Sequence, residues 1–177
     1  MCSPTDDLED DFRRFFADHD RYVLAYALRR TEERADAEDV VGGTFAVAWR
    51  RFRDKPSQEL ELAWLYAIAA RVLANQRRSA RRLSALRSRL HSLPAPPPGD
   101  AGDFQDVMAA LGELRPGDQE ILRLSAWEGL TNAELAVALG CSENAAAIRL
   151  YRARKRLAEQ LAKGTPANGH SVVGGAE

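Results

Sequence analysis

Leu130 to Leu157 reads LTNAELAVALGCSENAAAIRLYRARKRL, and the punctuation of this stretch decides the fold. Thr131 and Glu134 have the T-x-x-E spacing of a capping box, in which each residue's side chain satisfies the other's free backbone amide at a helix start. Leu135, Ala136 and Leu139 follow at helical spacing, and Gly140 stands where a chain leaves a helix through a left-handed residue. Ser142 can cap the next helix, whose apolar stripe is Ala146, Leu150, Ala153, Leu157 and Leu161. Helix, short turn and second helix make a helix-turn-helix. In that motif the second helix offers its N-terminal residues to base edges in the major groove, while cations beside them hold phosphates. The residues so placed are Ser142, Glu143, Asn144, Ala145 and Ala147. Arg149 and Arg152 lie off the apolar stripe within reach of phosphate, whereas Arg154, Lys155 and Arg156 are spread around the helix and cannot all do so.

Upstream of the motif, Pro116 suits a first helical turn and opens a helix that buries Ile121, Leu122 and Leu124. Further back, LPAPPPGDAGDF, starting at Leu93, cannot continue a helix and predicts an extended linker. The expected organisation is therefore an N-terminal helical domain over 1–92, a linker over 93–103, a helix-turn-helix domain over 104–163 and a disordered tail over 164–177. In the first domain Leu8, Phe12, Phe15 and Phe16 mark one helix, and Tyr22, Val23 and Tyr26 a second. A third starts at Asp36 as cap and buries Val40, Val41, Phe45, Ala48, Trp49 and Phe52. Lys55, Pro56 and Ser57 break the chain before a long helix from about Leu60. No alternating Val/Ile/Thr run offers a strand, so the fold class is all-α, two small helical domains joined by a Pro/Gly-rich linker.

The 177 residues carry 25 Lys and Arg against 26 Asp and Glu, a formal net charge of −1 that hides an uneven distribution. Residues 1–20 hold seven acids against two arginines, whereas residues 71–90 hold seven arginines and no acid. A second basic block runs from Arg149 to Arg156. Two cationic segments far apart in sequence, each on a helix, point to two contacts with a polyanion. The two cysteines and three scattered histidines make neither a disulfide framework nor a zinc site. No nucleophile paired with a base and no phosphate loop appears, so an enzyme is not expected, and neither is a cofactor. The acidic start is unlike a secretory signal and no run is long enough to span a bilayer, so a cytoplasmic protein without membrane insertion is expected.

ADAEDVVGGTFAVAWRRF (35–52), AWLYAIAARVLANQRRSARR (63–82) and LRPGDQEILRLSAWEGLTNAELAVALGCSENAAAIRLYRARKRL (114–157) together resemble the extracytoplasmic-function (ECF) subgroup of bacterial RNA polymerase sigma factors. The resemblance covers about residues 10–162. It implies an alternative sigma factor that binds core RNA polymerase, recognises −10 and −35 promoter elements, opens promoter DNA and is held by an anti-sigma factor. By position, Asp39, Val40, Gly42, Gly43, Thr44 and Phe45 fall in the family's polymerase-binding helix. The loop from Arg53 to Leu62 corresponds to the segment that receives a flipped −10 base, with Lys55, Ser57 and Gln58 as candidates. Asn75 offers both a donor and an acceptor for base readout, and Arg71, Arg77, Arg78, Arg81 and Arg82 would hold phosphates.

Two departures stand out. Gly42 and Gly43 replace the family's usual Gln and acidic residue, removing side chains that would touch the polymerase. Ala145 and Ala147 replace a usual Thr and Lys, leaving methyl contacts to thymine or shape readout to compensate. The helix-turn-helix alone is also similar to the output domain of LuxR-type activators, but those carry a sensory or receiver α/β domain, and the N-terminal half here shows no alternation of strand and helix. A degenerate sigma-like interaction protein is the other alternative, motivated by the two glycines.

Overall fold

Backbone is described for residues 4–87 and 102–164 in a computed structural model, and side-chain environments for 7–80 and 105–163. Within these residues every regular element is helical. α1 spans Pro4–Leu28, α2 Arg34–Arg50 and α3 Glu61–Arg87, with two single 3-10 turns, Phe52–Asp54 and Gln58–Leu60, between α2 and α3. α4 spans Gly102–Gly112, α5 Pro116–Ala126, α6 Asn132–Leu139 and α7 Glu143–Gly164.

Several local expectations need correction. The two helices expected before Leu28 are one, because no Gly or Pro follows Pro4 and the junction at Ala17 to Asp20 contains nothing that stops a helix. Arg13 with Asp10 and Arg14 with Asp11 add support one turn apart on its surface. α2 begins before Asp36, with Glu33 at the cap position and no side-chain cap bond, and Asp36 sits inside its acidic first turn instead. α4 takes up Gly102 and Asp103, the last two residues of the expected linker. The rest of that linker and the tail beyond Gly164 lie outside the described residues.

α1, α2 and α3 pack on one another, and α4, α5 and α6 pack around α7. Val23, Val40, Ala63 and Leu65 are wholly buried among the first three helices, beside a ring cluster of Phe12, Phe15, Phe45 and Phe52. Trp49 is not the core residue expected. It lies 39% exposed, its ring edge-on to Phe12 at 4.9 Å. In the second group Ile121, Leu124, Leu135, Ala146 and Ala153 form the centre.

The two groups are in contact in this structure. α6 packs on α3, and the end of α1 meets α5 and the α5–α6 loop through buried charges. Arg30 Nε donates to Glu120 Oε2 at 3.1 Å, and its Nη1 donates to Glu128 Oε1 at 2.9 Å. The Tyr26 hydroxyl donates to Glu120 at 2.8 Å, the Arg30 guanidinium lies 3.6 Å over the Tyr26 ring, and Arg29 pairs with Glu128. The Arg30 and Glu128 side chains are only 2% and 1% exposed.

Candidate nucleic-acid interface

The helix-turn-helix forms as its local signals require. The Thr131 hydroxyl accepts from Glu134 N–H while Glu134 accepts from Thr131 N–H at 2.7 Å, closing the capping box. Gly140 turns the chain at φ +63°, and Ser142 Oγ accepts from Ala145 N–H at 3.2 Å to cap α7. With Ala146, Leu150 and Ala153 buried, α7 turns Ser142, Glu143, Asn144, Arg149 and Arg152 to solvent, and Ala145 and Ala147 lie half-buried. Arg149, Arg152 and Lys155 have no acidic partner among the described residues, so their charge is available to an anion. Arg154 and Arg156 are tied to α5 instead: Arg154 donates to Ser125, and Arg156 pairs with Asp118 at 2.8 Å. Sequence reasoning passed over Ile148 and Tyr151, which stand 43% and 69% exposed on the same outward face. Ile148 lies four residues from both Asn144 and Arg152, and Tyr151 three beyond Ile148, and that helical spacing was the available signal.

On α3 the exposed residues Arg71, Asn75 and Arg78 share a face, and Arg78 donates to Asn75 Oδ1. That bond engages the Asn75 acceptor and leaves its amide donors free. Arg77 departs from expectation, since its Nη2 donates to the Arg30 carbonyl at 2.8 Å and it braces the end of α1. Arg81 and Arg82 continue α3, but their side chains lie outside the described residues. Ser57 and Gln58 are exposed. Gln58 borders a 390 Å³ cleft with Phe15 and Phe52 in its wall. Lys55 is not a free cation: it pairs with Glu61, a buried first-turn residue of α3 that also faces His19 at 3.8 Å.

The α2 candidates divide. Val40 and Thr44 are wholly buried and Phe45 nearly so, with the Thr44 hydroxyl donating to Val40 O at 2.7 Å. None of these three can present its side chain to a partner. Asp39, Gly42, Ala46 and Trp49, three or four residues apart, form the exposed stripe of α2. Among the described residues no helix is long and apolar enough to cross a membrane, and no three His, Cys, Asp or Glu converge to hold a metal.

Residues 15–83 match the family "Sigma-70 region 2" and residues 104–157 match "Sigma-70, region 4". The RNA polymerase sigma factor CarQ of Myxococcus xanthus is 31% identical over 88% of this chain and 92% of its own. The ECF RNA polymerase sigma factor SigL of Mycobacterium tuberculosis is 30% identical over 82% of this chain and 85% of its own. The chain belongs to the ECF group of RNA polymerase sigma factors. Two solved sigma factors share the fold: RpoE of Bartonella quintana in complex with the anti-sigma factor NepR, and CnrH in complex with the cytosolic domain of CnrY. The first is 26% identical with a TM-score of 0.62 over 88% of this chain and 99% of that one. The second is 29% identical with a TM-score of 0.57 over 89% and 91%. As an alternative sigma factor the chain serves transcription initiation, with core RNA polymerase and promoter DNA as partners. Region 2 therefore carries α3 with its arginines, and region 4 carries the capped α6–α7 pair.

Proposed function

We propose that the two regions divide promoter recognition, residues 1–92 meeting core polymerase and the −10 element and residues 104–163 meeting the −35 element. The observation that carries this reading is the pair of exposed cationic faces without acidic partners among the described residues, Arg71 with Arg78 on α3 and Arg149 with Arg152 on α7. Each sits beside a polar residue able to read bases, Asn75 on α3 and Asn144 on α7. Gln58 borders the space for a flipped base, with aromatic Phe15 and Phe52 beside it for stacking, and exposed Ser57 precedes it in the loop. Ser142, Glu143, Ala145 and Ala147 line the entry of α7 into the major groove. The polymerase meets the exposed α2 stripe of Asp39, Gly42, Ala46 and Trp49 rather than the buried Val40, Thr44 and Phe45.

The protein works in the cytoplasm, where polymerase and promoter are. An anti-sigma factor restrains it, as the complexes of RpoE with NepR and CnrH with CnrY suggest. Run-off transcription with core polymerase and a promoter library tests the whole reading. Transcripts from a defined pair of elements are expected. Polymerase binding without transcription would favour a sigma-like interaction protein instead.

A further inference from the structure

Ile148 and Tyr151 are the large apolar side chains that α7 leaves uncovered, at 43% and 69% exposure. They lie in the middle of its outward face, between Asn144 at one end and Arg152 and Lys155 at the other. Buried Ala146, Leu150 and Ala153 anchor the opposite side, so neither residue can turn inward without unpacking the helix-turn-helix. An apolar pair framed by cations suits a surface that is anionic around its edges and carries small apolar groups within. The major groove has that character: phosphates line its rims, and thymine alone among the bases presents a methyl group there. Arg149, Arg152 and Lys155 supply the matching charge and have no acidic partner among the described residues. Ala145 and Ala147 flank the pair with short side chains that keep the approach open.

We propose that Ile148 and Tyr151 are specificity-determining residues that read thymine C5-methyl groups in the upstream promoter element. The inference rests on the assignment of α7 to that element. Apolar contact replaces the hydrogen-bonding readers that the alanines at 145 and 147 cannot provide. Ile148 packs its branched end on one methyl, and the Tyr151 ring covers another. The element should therefore contain thymine at two positions about one helical turn of α7 apart in contact, with adenine opposite each.

Uracil keeps thymine's pairing edge and lacks only the methyl, which makes it the direct probe. The full chain assembled with core polymerase would first select its upstream element from a randomised library. Each thymine of the selected element would then be replaced singly by uracil, and affinity measured for the wild type, Ile148→Ala, Tyr151→Ala and Tyr151→Phe. Loss of one buried methyl should weaken the wild type about three- to fivefold at one or two positions. Ile148→Ala and Tyr151→Ala should each become indifferent to uracil at one of them, whereas Tyr151→Phe, which keeps the ring, should stay sensitive. Both residues are exposed, so thermal melting of the variants should match the wild type. Indifference of the wild type to uracil at every position, an element without thymine, or variants that keep full sensitivity would overturn the proposal. Weaker assembly of Ile148→Ala with polymerase in the absence of DNA would point to a protein contact and overturn it as well. Failure to select any upstream element would overturn the −35 assignment itself, an outcome separate from these.

Discussion

A β-carbon added at Gly42 meets nothing within 4 Å, whereas one added at Gly43 falls 3.0 Å from Val72 Cγ1 on α3. The two glycines therefore have different reasons to be there. Gly42 faces solvent on α2, so Gly42→Ala should raise stability by roughly 0.5–1 kcal/mol through helix propensity. Gly43 lets α2 and α3 approach closely, so Gly43→Ala should gain nothing, and Gly43→Glu should destabilise outright. Urea denaturation of the single variants checks this, and Val72→Ala should rescue Gly43→Ala. Of the two positions where the family carries Gln and an acidic residue, only position 42 has room for the larger side chain. Arg149 and Asn144 allow a second comparison at this scale. Arg149→Ala should weaken binding across all upstream elements and flatten the salt slope by about one unit, while Asn144→Ala should change which elements are preferred. Binding titrations at several salt concentrations separate the two.

Among the elements, α6 is the one whose ends are most completely specified, by the Thr131–Glu134 box at one end and Gly140 at the other. Thr131→Ala should cost about 1 kcal/mol, and Gly140→Ala a similar amount, because alanine is strained at φ +63°. Chemical denaturation followed by circular dichroism measures both. Such signals were readable in the sequence because each involves residues no more than four apart. α1 shows the opposite case. Its apolar residues suggested two helices, yet the intervening Asp18, His19 and Asp20 are no break: His19 is largely buried against Phe15, and its Nδ1 contact with Phe15 O lies inside the continuous helix. Trp49 was misjudged for a related reason: on α2 it falls beside the apolar stripe, and a ring that large can rest one edge on Phe12 and leave the other in water.

Across the whole molecule, regions 2 and 4 meet through a buried ionic cluster that a linear reading had no means to pair, since its partners are 90 to 99 residues apart. Removing one member of a buried pair strands the other charge, at a cost of about 3–5 kcal/mol. Glu128→Ala should therefore lower the melting temperature or split melting into two transitions, as seen by calorimetry. Promoter geometry gives the interface a further consequence. Elements roughly 25 base pairs apart lie about 85 Å apart along the duplex at ~3.4 Å per step, twice the ~40 Å length of α3. A body with α6 seated on α3 cannot lie on both, so Glu128→Ala should raise run-off yield at limiting protein even as it lowers stability. The phenols add a pH signature. Burial first, and then Glu120 for Tyr26 or Glu128 for Tyr66, pushes both hydroxyls well above the ordinary tyrosine value. A raised folded pKa means that this contribution to stability is complete below the unfolded value of about 10 and is lost as pH rises beyond it. Melting temperature should fall above about pH 10, less steeply in Tyr26→Phe with Tyr66→Phe.

The amino-acid sequence by itself determined the helical class, the break at Lys55 to Ser57, the helix-turn-helix and the two basic segments, because each is written in neighbours or in a helical period. Family membership was legible in the same way, from ordered motifs. Which cations remain free was decided only by the tertiary structure. Arg77, Arg154 and Arg156 look like Arg149 and Arg152 in the sequence, yet the first three are engaged by Arg30 O, Ser125 and Asp118. The close approach at Gly43, the burial of Thr44 and the Arg30 cluster belong to the same class. Each depends on which helix faces which at a distance of a few ångströms, and that relation arises from packing between segments distant along the chain.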